Sequence, residues 1–162
     1  MPEDHDLTGT DDEVKKKIER LKGVGRPLNV GIETKIIDEQ GKEAPPGVVG
    51  EVINRGQKVT PGYWRNAERT EESFDQDRWF HTGDMAFRDE EGYIYFADRK
   101  KDMILSGGEN IASLEVERVL YELPEILEAA VVGIPHPKWL EVPKAYVALK
   151  PGATLSAEAL ID

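Results

Sequence analysis

Residues 81 to 110, HTGDMAFRDEEGYIYFADRKKDMILSGGEN, decide the fold of this chain. An acidic residue, Asp84, follows a Thr-Gly pair, and the acidic turn at 89–92 predicts a hairpin whose second arm runs over 93–97. Two further features close the stretch: a charged cluster, DRKKD, at 98–102, and a Gly-Gly loop, SGGEN, at 106–110, which we expect to open a helix. The stretch therefore joins a β-rich region on its N-terminal side to a mixed region on its C-terminal side.

The composition indicates a soluble globular protein with an acidic surface. The chain has 162 residues, no cysteine and a formal net charge of −11. Nucleic acid and anionic membranes need a basic face, so we expect neither as a partner. Without cysteine the chain has no disulfide framework, no thiolate metal site and no cysteine nucleophile. We find neither an apolar run of the ~20 residues that a membrane span needs nor a signal peptide at the start, and we expect a cytoplasmic location.

The periodicity predicts an α+β fold in two lobes. Residues 1–24 are a polar N-terminal segment, which forms a short amphipathic helix or a frayed terminus. Residues 25–97 are predicted as a small, mostly antiparallel β subdomain. Its expected elements are strands at 30–37 and 48–55, a short helix that Asn66 caps and that runs through Phe74, and the hairpin at 89–92.

The second lobe is predicted as a small α+β domain at 103–162, after the cluster at 98–102. A short strand, 103–105, leads into the Gly-Gly loop, and Ser113 is expected to cap the next helix. Two strands, 129–134 and 144–149, follow, joined by a loop that contains several prolines. A last helix is expected to begin at Ser156.

Asp84 and Arg99 are the candidate binding residues at the two ends of the hairpin. A carboxylate that follows a Thr-Gly turn can accept hydrogen bonds from both vicinal hydroxyls of a ribose. It can equally satisfy the amides of its own turn. Arg99 could donate to ribose or phosphate oxygens, pair with Asp98 or Asp102, or belong to a solvated charge run that protects a strand edge.

Gly107 and Gly108 are candidates for close approach of a ligand to the backbone. Glycine leaves room for that approach, and free amides at a helix N-terminus attract anions. The alternative is a tight connection that needs glycine for its positive φ. The three histidines, His5, His81 and His136, are far apart in a chain without cysteine, so we expect no metal site.

Taken in order, the motifs resemble those of the AMP-forming acyl-CoA synthetases of the adenylate-forming superfamily. The stretches that carry the resemblance are GRPL (25–28), PGVVGEV (46–52), PGYW (61–64), WFHTGD (79–84), GYIYFADRKKD (92–102), SGGENI (106–111), EVERVL (115–120) and EVPKAYV (141–147). The resemblance covers nearly the whole chain beyond Gly23. Leu140 departs from it, because relatives usually have glycine before the EVPK sequence.

The resemblance implies a two-step reaction with ATP and CoA. A carboxylic acid, with a fatty acid as the expectation, attacks ATP to give an acyl-adenylate and pyrophosphate, and CoA then displaces AMP. By resemblance, Asp84 binds the ribose hydroxyls, Arg99 contacts the ribose and adenylate, and Phe96 or Tyr95 lies against the adenine. Residues 98–102 form the hinge between lobes, with Lys101 in a mechanical and not a chemical role.

By the same resemblance Gly107 and Gly108 lie where the pantetheine arm of CoA approaches. Three features are expected outside this chain: the phosphate loop, the lysine of the adenylation step, and the residues that hold Mg²⁺ as the counter-ion of ATP. We therefore expect the chain by itself to be inactive. Two alternatives stay open: an adenylating enzyme whose acceptor is a carrier-protein thiol, and a non-catalytic binding module that forms a homodimer through exposed apolar faces.

Overall fold

The computed structural model describes residues 7–27 and 30–157, and the chain divides into two units, residues 1–97 and 98–162. Each unit combines a four-stranded antiparallel sheet with α-helical segments. The expected α+β class is thereby confirmed. Within residues 7–27 and 30–157, no helix is long and apolar enough to cross a membrane.

The first unit is a meander in which neighbouring strands of the sheet follow one another in the chain. Its sheet has the order β1-β2-β3-β4. Residues Ile36, Ala44, Ala86 and Ile94 form its buried core, with Val52 packed against them. Its elements are α1 (Asp11–Lys22), β1 (Glu33–Ile37), β2 (Gly50–Arg55), α2 (Ala67–Glu72), β3 (Phe80–Arg88) and β4 (Ile94–Arg99).

The N-terminal helix α1 is formed and attached to the hairpin, so a frayed terminus is wrong for residues 11–22. Thr10 and Glu13 make a reciprocal capping box at its start. Lys16 donates to Glu91 at 2.7 Å, and Arg20 pairs with the same carboxylate while its guanidinium lies over the Tyr93 ring. The polar composition of the helix therefore reflects ion pairing with the turn at 89–92.

The second unit has a sheet of order β6-β5-β8-β7 with one helix packed on it. Ile104, Leu120, Ile126 and Val131 are its buried core. Its elements after the 3-10 turn Lys100–Asp102 are β5 (Ile104–Ser106), β6 (Glu109–Ile111), α3 (Ser113–Leu120), β7 (Ile126–His136) and β8 (Leu140–Leu149).

Three local predictions for this unit are wrong. The Gly-Gly loop closes a tight hairpin between β5 and β6 and does not open a helix. Ser113 is the first residue of α3, and the preceding Ala112 makes no side-chain cap. The two later strands continue through their prolines to a short tip at 137–139, because Pro135 and Pro143 sit within the β7–β8 ladder. Most of the helix expected from Ser156 lies outside the described residues.

Candidate functional site

A β-bulge in β3 carries Asp84. Glu51 of β2 pairs with Met85, and Ile53 pairs with His81, so Thr82, Gly83 and Asp84 lie opposite Val52 alone. Gly83 has a φ of +73°, a conformation that is strained for residues with a Cβ atom. Bulges re-aim side chains and are frequent beside active sites. The Thr-Gly turn before Asp84 therefore lies inside strand β3, where it distorts the strand locally.

The bulge brings Asp84 to an apolar cavity of about 440 Å³ in the first unit. Phe96 of β4 and Val52 of β2 line the same cavity, together with Val24, Gly25, Arg26, Pro27, Val30, Ile32, Thr34, Asn54, Lys58, Ala86 and Ile94. A concave apolar surface with a few polar groups is the usual form of a small-molecule site. A carboxylate and an aromatic ring on its wall suit a ligand that has hydroxyl groups and a flat ring.

The structure separates the two aromatic candidates on β4. Side chains of a strand alternate between the two faces of the sheet. Phe96 lines the cavity. Tyr95 stacks on Phe87, with the ring centroids 5.2 Å apart. Of the two, Phe96 is thus the residue that shares a surface with Asp84.

Two polar residues behind the bulge were not singled out by the sequence analysis. Glu51 is 6% exposed, and its carboxylate lies 3.1 Å from Nδ1 of His81. It also accepts a hydrogen bond from the backbone amide of Gly83 at 3.3 Å. The sequence signal for Glu51 is its place within the predicted strand GEVIN. A carboxylate that is buried in such a strand needs hydrogen-bond partners.

Arg99 and Lys101 belong to the second unit. Arg99 is the exposed last residue of β4, and Lys101 lies in the 3-10 turn with 81% of its side chain exposed. The ammonium of Lys101 is 3.9 Å from Oδ1 of Asp102. The structure thus places Asp84 and Phe96 on one cavity, while the shared contact of Asp84 and Arg99 with one ribose stays a prediction.

Asp98 joins the start of the second unit to helix α3. Its carboxylate is 3% exposed and accepts hydrogen bonds from Ser113 Oγ at 2.8 Å and from the Leu114 amide at 3.4 Å. The Arg99 amide donates to its other oxygen at 2.7 Å. A carboxylate from a distant part of the sequence therefore caps α3, at the helix end where negative charge is favourable.

The Gly-Gly hairpin packs against the tip of the β7–β8 hairpin. Gly107 donates its amide to the Trp139 carbonyl at 2.9 Å, and a Cβ atom on Gly107 would lie 2.9 Å from the indole ring. Gly108 has a φ of +91° and open space around it. Leu140, next to Trp139, has a φ of +70°, which accounts for the glycine usual at this position in relatives. The glycines therefore have structural reasons, and the anion-binding argument from a helix N-terminus does not apply.

No group of three or more His, Asp or Glu side chains within 7–27 and 30–157 is arranged to hold a metal ion.

Two family models match the chain. The AMP-binding enzyme model matches residues 7–64, and the model of the AMP-binding enzyme C-terminal domain matches residues 115–162. The sulfoacetate–CoA ligase of Cupriavidus necator is 40% identical over 141 residues, which are 87% of this chain and 27% of that protein. The 2-succinylbenzoate–CoA ligase of Geobacillus kaustophilus is 42% identical over 87% of this chain and 28% of that protein.

Solved structures show the same fold. The o-succinylbenzoate CoA synthetase of Bacillus subtilis, in complex with its acyl-adenylate intermediate, has a TM-score of 0.79 at 38% identity. The match covers 91% of this chain and 29% of that one, so this chain spans little more than a quarter of the length of these relatives. The fold is that of adenylate-forming enzymes. The chain belongs to the AMP-binding enzyme family, with its C-terminal part in the family's C-terminal domain.

Proposed function

We propose that this chain supplies the ribose-binding edge of an AMP-forming CoA ligase. The observation that carries the proposal is the bulge that turns Asp84 into the apolar cavity beside Phe96. In the proposed reaction a carboxylic acid attacks the α-phosphorus of ATP and releases pyrophosphate. The thiol of CoA then attacks the acyl carbon, forms the thioester and releases AMP.

Asp84 would hold the nucleotide by its ribose. Each oxygen of the ionised carboxylate can accept one hydroxyl of the diol, and hydrogen bonds to a charged acceptor are about twice as strong as neutral ones. Phe96 would provide an apolar surface for the base. Arg99 would add a positive charge and several N–H donors for the ribose and adenylate.

Lys101 would act through the backbone at the junction of the units. The 3-10 turn Lys100–Asp102 follows directly on β4, and an exposed junction of this kind can absorb a change of φ and ψ at a few residues. In the proposal this change presents different faces of the second unit in the two half-reactions. Asp98 keeps the C-terminal side of the junction attached to α3 during that movement.

CoA would approach along the β5–β6 hairpin, whose turn is Gly107-Gly108. Gly108 leaves open space on its exposed side, which suits a narrow pantetheine chain. Mg²⁺ would accompany ATP as its counter-ion through residues outside this chain. Without those residues we expect the chain by itself to form no acyl-adenylate from ATP and a carboxylic acid.

The acid and the acceptor are less closely defined. The relatives named above act on sulfoacetate and 2-succinylbenzoate, so we propose the class of carboxylic acids, with fatty acids as the first members to test. One structure of the same fold, from Marinactinospora thermotolerans, is an amide bond synthetase, with 40% identity and a TM-score of 0.76. That observation favours, as a second candidate, an adenylating enzyme whose acceptor is not CoA.

Titration of AMP into the ¹⁵N-labelled 162-residue chain tests the ribose edge. We expect saturable shifts of the amide signals of residues 82–86 and 94–96, and weaker binding of 2′-deoxy-AMP. The difference should be roughly tenfold to a hundredfold, because one hydrogen bond to a charged acceptor contributes ~1.5–3 kcal/mol and each ~1.4 kcal/mol is a factor of ten. In Asp84→Ala, which has no side-chain acceptor, the preference for AMP over 2′-deoxy-AMP should be lost. Equal binding of the two nucleotides by the unsubstituted chain would contradict the proposal.

A further inference from the structure

We infer that Glu51 is a positioning residue, which holds the bulge at 82–84 from behind and so keeps Asp84 directed into the cavity. The inference rests on the nucleotide site proposed above. Neither residue of the Glu51–His81 pair lines the cavity itself. Any effect of Glu51 on a ligand is therefore indirect, and its carboxylate contacts the backbone of β3 at the Gly83 amide.

Glu51 and Asp84 lie on opposite faces of the sheet. Val52 and Asn54 of β2 line the cavity, and residues of a strand alternate between faces, so Glu51 points to the other side. There its side chain is 8% exposed, and its two oxygens are used separately. Oε2 lies 3.1 Å from His81 Nδ1, and Oε1 accepts from the Gly83 amide at 3.3 Å.

The bulge explains why a carboxylate is needed at this position. Three residues of β3 lie opposite one residue of β2, so the regular ladder of backbone hydrogen bonds is interrupted there. A backbone amide that is buried without an acceptor is costly. The Glu51 carboxylate replaces the missing ladder acceptor for the Gly83 amide, and His81 holds the carboxylate in place.

The same segment is also attached on its other side. Thr82 Oγ1 donates to the Val52 carbonyl at 2.7 Å and accepts from the Asp84 amide at 3.0 Å. The bulge is thus held by Thr82 and by Glu51. Gly83 lies between these attachments with a positive φ and has many other conformations available. Loss of the hydrogen bond to Glu51 should therefore let Gly83 change conformation and carry the Asp84 carboxylate away from the diol.

Glu51→Gln separates positioning from simple packing. Glutamine has the volume of glutamate, but its single acceptor oxygen is uncharged, so its hydrogen bond to the Gly83 amide is weaker, and a His81 that donates from Nδ1 competes for the same oxygen. We expect the Gly83 amide signal to move and AMP binding to weaken about fivefold or more, a part of the effect of one charge-assisted hydrogen bond. The preference for AMP over 2′-deoxy-AMP should fall with it. All titrations are made well below the unfolding temperature of each variant.

Ile36→Val is the matched control for stability. Ile36 is 2% exposed in the core of the same sheet, where it packs with Val52, Ala86 and Ile94 behind the cavity, and its apolar side chain makes no hydrogen bond to the bulge. The substitution should lower the unfolding temperature, while the Gly83 amide signal and the preference for AMP over 2′-deoxy-AMP stay as in the unsubstituted chain. A purely structural role of Glu51 predicts the same behaviour for Glu51→Gln.

A pair of substitutions at His81 gives a second test. This test decides the question in the case that Glu51→Gln does not fold. Asparagine can place an N–H near the position of Nδ1, whereas leucine cannot. We expect His81→Leu to weaken AMP binding and His81→Asn to restore most of the affinity, although leucine is the better packing residue. AMP binding by folded Glu51→Gln as tight as that of the unsubstituted chain would overturn the inference and leave the ribose site intact. Absence of AMP binding by the unsubstituted chain would remove both.

Discussion

Asp98→Ala should destabilise the second unit through the cap of helix α3. The carboxylate accepts three hydrogen bonds, from Arg99 N, Ser113 Oγ and Leu114 N. Hydrogen bonds to a charged group contribute ~1.5–3 kcal/mol each, and loss of a helix cap costs ~0.5–2 kcal/mol. Relief of the desolvation of a 3% exposed carboxylate offsets part of this. We therefore expect a net loss of about 2–3 kcal/mol in the free energy of unfolding.

Urea unfolding, followed by the NMR amide signals of residues 113–131, measures this loss in the second unit alone. With an m value of about 1.5 kcal/mol/M, the midpoint should fall by roughly 1.3–2 M. Asp98→Asn keeps one acceptor oxygen and should show about half of that shift.

Asp102→Ala is the matched control, because Asp102 belongs to the same charged cluster but its side chain is 48% exposed. Its effect should stay within about 0.5 kcal/mol. The reasoning fails if Asp98→Ala moves the midpoint by less than about 0.3 M, a small fraction of the expected shift, or if Asp102→Ala moves it equally.

Two further predictions concern the hairpins. Gly107→Ala should lower the free energy of unfolding of the second unit by about 2–3 kcal/mol in urea unfolding, because the new Cβ atom meets the Trp139 ring and φ is positive at this position. Gly108→Ala has open space for its Cβ atom and should cost only the ~1–2 kcal/mol of backbone strain. Hydrogen bonds from Lys16 and Arg20 lower the pKa of Glu91 from its usual 4.5 to about 2. The ion pairs between Glu91 and α1 should therefore be fully formed above pH 4.5 and be lost as the pH falls toward 2, when the carboxylate binds a proton. The amide signals of residues 11–22 would report this loss, and in Glu91→Gln they should have their low-pH positions already at pH 7.

The α+β class and several elements of the site could be predicted from local sequence. The strand that contains Ile36 shows alternation of period two, and Asn66 caps its short helix as its side chain indicates. The motifs at 79–102 placed Asp84 at a distortion of the chain and Phe96 on a strand. These features depend on residues that are neighbours in the sequence, so the sequence carries the signal.

Where the local signal was ambiguous, contacts between distant residues decided the structure. Gly-Gly followed by a helical stripe suits a loop into a helix, but three residues of pairing between β5 and β6 make it a hairpin turn. Ser113 has the side chain of an N-cap, yet Asp98, fifteen residues earlier, supplies the cap. Helix α1 has a thin apolar stripe and is held by Glu91, which lies over seventy positions away.

The sequence by itself determined the chemistry that is available: an acid after Thr-Gly, an aromatic on the next strand, a cationic junction and a family resemblance. Only the tertiary structure decided that Asp84 lies in a bulge, that Phe96 and not Tyr95 shares its cavity, and that Glu51 stands behind it. The physical reason is that a bulge arises from the register between two strands. Register is a property of a pair of strands, which neither strand specifies alone.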